Sequence, residues 1–410
     1  MRKIFTMVGL MLISGGLIAQ LSQGDAADVV QLNTITTAVP FLQIAPDSRA
    51  SGIGDAGLGL LPDANQLHWN PSNLAFGEDN LQISLSYAPW LRDLVPDMNL
   101  AYLAVYGKLN DKQAIGGSLR FFSLGDITFT DENGAVIRNF KPNELAIDFT
   151  FAQKLGKNWS GGISARYISS NLTGGTSVGG VESQVGRSFA VDLSMTYANL
   201  KSSLGSKDMD IVAGWTISNI GAKMSYTETS ERDFLPTNLR IGSGFNLHLD
   251  DYNELSWEIN FNKLLVPTPP IYAKNDTTGL PIYDSEGNPV IAAGMDPNVG
   301  VAQGMIQSFY DAPGGFSEEM KEITIGTGFE YWYAHQFAVR VGYFYENPLK
   351  GDRQYITLGV GVRYNIFTLD FSYLIATTQR NPLANTLRFT LMFSFEDLGK
   401  TKYDDDPENF

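Results

Sequence analysis

The sequence predicts an all-β protein, a transmembrane antiparallel β-barrel of about fourteen strands. Three observations carry this expectation. A two-residue hydrophobic period recurs from Leu81 onward, the connections between the periodic segments alternate between long and short, and beyond the N-terminal run no apolar stretch is long enough for a helical span.

The 410-residue chain begins with Arg2 and Lys3 ahead of an apolar run from Ile4 to Ile18, with small residues at Ala19 and Ala26. This pattern predicts a signal peptide over residues 1–19, with cleavage as late as residue 27 left open; the run is short for a membrane anchor. Residues 28–80 do not alternate and are crowded with Gly, Pro and Asn, a composition suited to compact irregular structure. Phe41, Leu42, Ile44, Leu58, Leu60 and Trp69 set this segment apart from a disordered leader, which would be poor in such residues. Lying before the first strand, it is expected to occupy the barrel mouth as a plug.

Strands are expected at 81–88, 99–108, 113–124, 142–154, 159–171, 188–199, 209–220, 237–249, 253–264, 323–333, 337–347, 353–364, 367–377 and 385–395. In the segment NELSWEINFNKL, Leu255, Trp257, Ile259 and Phe261 alternate with Glu254, Ser256, Glu258 and Asn260. One face is therefore oily and the other wet. A soluble sandwich alternates too, so the period alone does not choose between water and lipid outside.

The connections do choose. Those at 109–112, 156–158, 250–252, 334–336 and 365–366 are short, whereas those at 88–98, 125–141, 173–186, 221–236 and 265–322 are long. Outer-membrane barrels sort their loops by end in this way and sandwiches have no reason to. The connection at 201–208 is longer than its class prefers. Residues 81–395 are thus expected to form the barrel, with 265–322 as a long extracellular loop and the acidic stretch 396–410 as a periplasmic tail.

Trp159, Trp215, Trp257 and Trp332 suit interfacial belts, although core positions in a sandwich would also hold them. Both charge signs fall on the wet faces, at Arg166, Asp192, Arg240, Glu254, Glu258, Glu330, Arg340, Arg363, Asp370 and Arg388. Ion pairs across the lumen and a selective conduit are both compatible with that pattern.

Composition narrows the chemistry. A formal charge of −15 opposes nucleic-acid binding, and the absence of cysteine removes disulfides and thiolate chemistry. Gly52, Gly54 and Gly57 have the spacing of a dinucleotide-binding turn but lack the strand and helix it requires. Gly175, Ser177 and Gly179 match a hydrolase nucleophile elbow, yet lie in a Gly-rich loop. His68, His248 and His335 stand far apart in sequence without ligand spacing, so no metal, cofactor or catalytic residue is assigned.

The run from Phe41 through Pro46, Asp47 and Arg49, then Gly52, Gly54, Asp63-Ala64 and Trp69-Asn70-Pro71, followed by Ser86 to Leu91, resembles the PorV/PorQ family. These are outer-membrane proteins of the type IX secretion system of Bacteroidetes. The resemblance implies a barrel similar to the FadL fatty-acid transporters, without enzymatic activity, that acts as a carrier. It would capture the C-terminal signal domain of secreted cargo at the translocon barrel and pass it to a surface sortase and attachment complex, surrounded by outer-membrane lipids. Trp90 and Leu91 in the first outer loop, with Ile271, Tyr272, Met305, Phe309, Tyr310 and Phe316 in the longest, are candidate contacts with cargo or translocon; folding the loop on itself would also occupy them. The rival functions are FadL-like transport of hydrophobic small molecules and an enzyme acting on lipopolysaccharide, for which the sequence offers no convincing nucleophile and base.

Overall fold

A computed structural model describes residues 33–395 except 93, 94, 96, 131–134, 176–181, 228–231, 276, 277, 279 and 378–382. The expected signal peptide, residues 28–32, the acidic tail 396–410 and Ser177 lie outside the described residues. The strands are β1 (Leu81–Pro89), β2 (Asn99–Asn110), β3 (Gln113–Ser123), β4 (Ile127–Thr130), β5 (Val136–Phe140), β6 (Asn143–Lys154), β7 (Trp159–Asn171), β8 (Gly186–Leu204) and β9 (Lys207–Gly221). They continue with β10 (Asn238–His248), β11 (Asn253–Leu264), β12 (Ile271–Tyr272), β13 (Ile291–Ala293), β14 (Thr324–Tyr333), β15 (Phe337–Tyr345), β16 (Gln354–Tyr364), β17 (Phe367–Ala376) and β18 (Leu387–Phe395).

Fourteen of these strands close into an antiparallel barrel in the order β1-β18-β17-β16-β15-β14-β11-β10-β9-β8-β7-β6-β3-β2. The seam joins first to last, from Leu81 opposite Phe395 to Tyr87 opposite Phe389. Closure leaves no bare edge of backbone amides and carbonyls, which hydrocarbon could not solvate. The remaining four strands form two small hairpins, β4–β5 and β12–β13, within the expected long loops. They were too short to show a period.

The two faces divide as the alternation requires. In β6, Ile147 and Phe149 are exposed on the outside while Asp148 and Thr150 are buried in the lumen. One expected irregularity disappears: β8 and β9 run on until Leu204 pairs with Lys207, so 201–208 is a tight hairpin with Gly205 at φ +67°. The polar exposed ends of these strands hid them from a search for alternation. Trp332 is a correction of another kind, because it is only 5% exposed and faces inward, where Arg363 stacks on it at 4.6 Å.

Inside the barrel, backbone amides of residues 48–72 are met by side chains from around the wall. Ser48 N donates to Thr390 Oγ1 (2.8 Å), Gly54 N to Thr357 Oγ1 (2.9 Å), Gly59 N to Glu258 Oε1 (2.6 Å), Ala64 N to Gln82 Oε1 (2.8 Å) and Ser72 N to Ser194 Oγ (2.9 Å). Irregular backbone is tolerated at this depth because polar wall side chains replace water as its partners.

Gly54 shows how tight the fit is. It adopts φ +79°, and a Cβ there would lie 2.5 Å from Tyr343 O and 2.6 Å from Thr327 O. The nucleotide-turn spacing of Gly52, Gly54 and Gly57 therefore has a packing origin, with Gly57 pressed on the Trp69 indole. Gly54→Val is expected to cost at least about 2 kcal/mol, from strain and overpacking together. A lower thermal midpoint and faster protease cleavage between residues 33 and 80 would show it; an unchanged midpoint would contradict it.

Candidate functional site

The lumen is occupied by charge networks that bind the N-terminal segment to the wall. Arg49 donates from Nη1 to Asp63 Oδ2 (2.9 Å) and grips Glu330 through Nη2 (2.9 Å) and Nε (3.1 Å). Arg340, itself fully buried, donates to the same Glu330 through Nε (2.6 Å) and to Asp370 through Nη1 (2.7 Å). Elsewhere Arg166 holds Asp148 and Asp192. Arg388 reaches Asp55, which also accepts from Tyr355. Arg166, Asp192, Glu330, Arg340, Asp370 and Arg388 thus form ion pairs, whereas Arg240, Glu258 and Arg363 have no oppositely charged partner among the described residues.

The family-like residues occupy distinct places in this arrangement. Phe41 stacks on Phe122 at 6.2 Å. Buried Pro46 precedes Asp47, which caps the short helix Ser48–Ser51 through Ala50 N (2.9 Å) and accepts from the Trp69 indole at 2.7 Å. Gly52 lies against Gly359, where a Cβ would meet its Cα at 3.2 Å. Asn70 donates to Thr196 Oγ1 (2.8 Å), and Pro71 opens the 3-10 turn Pro71–Phe76.

The N-terminal segment contributes to two cavities. One of about 1170 Å³ lies at the short-turn end and includes Arg49, Asp63, His248 and Glu254. The other, of about 500 Å³, includes Leu42, His68, Trp69, Trp90, Arg240 and Arg388 toward the long-loop end. The histidines are less scattered than their spacing suggests. His248 Nδ1 (3.1 Å) and His335 Nδ1 (3.4 Å) share Glu254 Oε1, and His248 Nε2 reaches Asp210 at 2.8 Å, since adjacent turns bring them to one rim. Among the described residues no group of side chains meets the geometry of a metal site.

The eight candidate contact residues separate into three sets. Trp90 and Leu91 are half-buried and turned into the mouth, where Trp90 lies under Arg388 (5.7 Å) and Leu91 packs beside Phe344 and Tyr355. Ile271 and Tyr272 form β12 at the margin of exposure, and Met305 is half-buried. Phe309 (50%), Tyr310 (59%) and Phe316 (79%) are exposed, joined by Ile306 and Met320, which the sequence reading missed. Ile306 and Phe316 lie on the helices Val301–Gln307 and Phe316–Glu319, Phe309 and Tyr310 in the turn after the first, and Met320 in the 3-10 turn after the second, and only their placement in the folded loop reveals them.

That loop has a built base. Lys263 Nζ holds Glu319 (2.8 Å) and Glu322 (2.7 Å), while Lys350 Nζ holds Glu318 (2.6 Å) and Glu322 (2.9 Å). Asp311 accepts from Thr268 N at 3.1 Å, but its other carboxylate oxygen is buried without a partner among the described residues.

A closed barrel with an apolar exterior and an internally filled lumen defines an outer-membrane β-barrel protein rather than a soluble sandwich. Residues 27–271, more than half the chain, match the family model described as type IX secretion system protein PorV, and the chain belongs to that family. No curated protein matches. Among solved structures it is similar to the toluene transporter TodX of Pseudomonas putida, with TM-score 0.49 and 11% identity over 90% of this chain and 100% of that one. It is also similar to the toluene transporter TbuX of Ralstonia pickettii (0.46, 11%, 85% and 98%) and to a FadL homologue of Pseudomonas aeruginosa (0.40, 12%, 88% and 99%).

Two outcomes follow from the geometry. Arg49→Met leaves the buried Glu330 with one cation fewer and is expected to cost about 3–5 kcal/mol, with much of that recovered by Glu330→Leu in the same chain. Chemical denaturation of the four members of this cycle would read the coupling, and strict additivity would refute it.

The second outcome concerns pH. Burial raises Asp311 to about 6, so its charged form opposes loop packing above that pH and the penalty fades as pH falls toward its unfolded value. Asp311→Asn should therefore protect the loop from protease at pH 7.5, relative to wild type, more than at pH 5. A ratio independent of pH would refute this.

Proposed function

We propose that this protein is a carrier of the type IX secretion system that holds the C-terminal signal domain of cargo at its long-loop end and passes it from the translocon barrel to the surface sortase and attachment complex. The long loops face the cell exterior in this reading. Residues 1–19 direct export, with cleavage by residue 27, the segment to residue 80 plugs the lumen, and 396–410 extends into the periplasm. Family membership supports the secretion role.

The observation that carries the carrier role is the exposed apolar surface at Phe309, Tyr310 and Phe316 on a loop braced by Lys263 and Lys350. A braced surface of this kind loses little entropy on binding and offers aromatic anchors to a β-rich partner. Transport of hydrophobic solutes would need an apolar path through the barrel, and the Arg49–Glu330–Arg340 network lies across the lumen instead. Trp90 and Leu91 belong to the mouth and would act on cargo only after it enters.

Replacing Phe309 and Phe316 by Asp, singly and together, should lower recovery of cargo with the purified barrel by about tenfold or more in the double variant. Wild-type recovery from the double variant would remove the proposal.

A further inference from the structure

One cation of the outer cavity is left without a counter-ion among the described residues. Five cationic side chains and three carboxylates line it. Four of the cations are matched: Arg166 by Asp148 and Asp192, Lys350 by Glu318 and Glu322, Arg353 by Glu346, and Arg388 by Asp55. Arg240 has no carboxylate partner among the described residues, although it is only 8% exposed. Its Nε donates to Asn262 Oδ1 (2.8 Å), its Nη1 to the carbonyls of His68 (3.3 Å) and Trp69 (3.2 Å), and its plane lies 4.6 Å over the Trp69 ring. Its Nη2 has no partner among those residues. In a chain with 44 acidic residues, a buried guanidinium without a counter-ion is a costly arrangement that an anion would relieve.

Two neighbouring features indicate what the anion is attached to. Residues 34–37 line the same cavity, and their backbone amides and carbonyls make no hydrogen bond among the described residues. These groups match the needs of another chain's backbone. Beside it, Arg120 Nη2 can only donate, so Nδ1 of His68 accepts (2.7 Å) and the proton sits on Nε2, which is buried without a partner among the described residues. Six carboxylates already surround the other four cations, which favours a singly charged carboxylate over a phosphate dianion. The indoles of Trp69 and Trp90 favour an organic body over a bare ion.

We propose that the outer cavity is a binding site for the carboxylate of a peptide, with Arg240 as counter-ion and the backbone of residues 34–37 as the pairing surface. The proposal rests on the carrier reading only for where such a peptide comes from. The structure requires only that its charged end enter the mouth.

The test uses the full chain in nanodiscs and calorimetric titration. The probes are an acetylated five-residue threonine–valine peptide with a free C-terminal carboxylate, the same peptide as its C-terminal amide, and octanoate. The free carboxylate should bind at least about tenfold more tightly than the amide, the difference expected for a charge-assisted hydrogen-bond pair. Arg240→Gln should abolish that preference and Arg240→Lys should retain part of it, with unheated electrophoretic mobility confirming that both variants form barrels. Equal binding of acid and amide, no binding of either, or binding of octanoate without the peptide would each overturn the proposal. Phe309→Asp/Phe316→Asp should leave peptide binding unchanged, so that a failure of the loop surface and a failure of this site give different results.

Discussion

The structure depends on one constraint: backbone amides and carbonyls crossing hydrocarbon have no water to turn to. Pairing β1 with β18 satisfies the two strands that would otherwise be edges, and every other strand of the ring has two antiparallel neighbours. Once the ring is closed, the side chains must alternate. Outward positions meet acyl chains, as at Ile147 and Phe149, and inward positions meet whatever fills the lumen.

What fills it here is polypeptide. Closure made the inner wall polar, and a polar wall suits irregular backbone, whose amides at Ser48, Gly54, Gly59, Ala64 and Ser72 find acceptors on β18, β16, β11, β1 and β8. The inward charges are similarly absorbed: Glu330 on β14 is shared between Arg340 of the wall and Arg49 of the inserted segment. A buried carboxylate held by two guanidiniums stabilises one arrangement mainly by penalising its disruption. The lumen is consequently unsuited to a wide path, and the surfaces available to partners lie at the ends.

The two ends differ. Short turns bring Asp210, His248, Glu254 and His335 to one rim, whereas the long-loop end carries a braced loop, exposed aromatics and a cavity in which Arg240 has no carboxylate partner among the described residues. Lysines 263 and 350 draw three glutamates together at the loop base, which lets Phe309 and Phe316 remain exposed on an ordered support.

Much of this was legible in the residues. Period two along NELSWEINFNKL, the alternation of loop lengths and the lack of a helical span sufficed for fourteen strands and for the sense of each face, because alternation is local and survives without knowledge of neighbours. The hairpin at Gly205 and the inward turn of Trp332 were not legible, since polar strand ends and single aromatics carry no mark of which way they face. Nor did spacing show that His248 and His335 share Glu254, that Trp90 lies in the mouth rather than on the loop surface, or that Arg240 lacks a carboxylate. The chain by itself determined the ring and its two solvents; only the tertiary structure decided how its charges are matched, because closing the barrel makes neighbours of residues that are hundreds of positions apart.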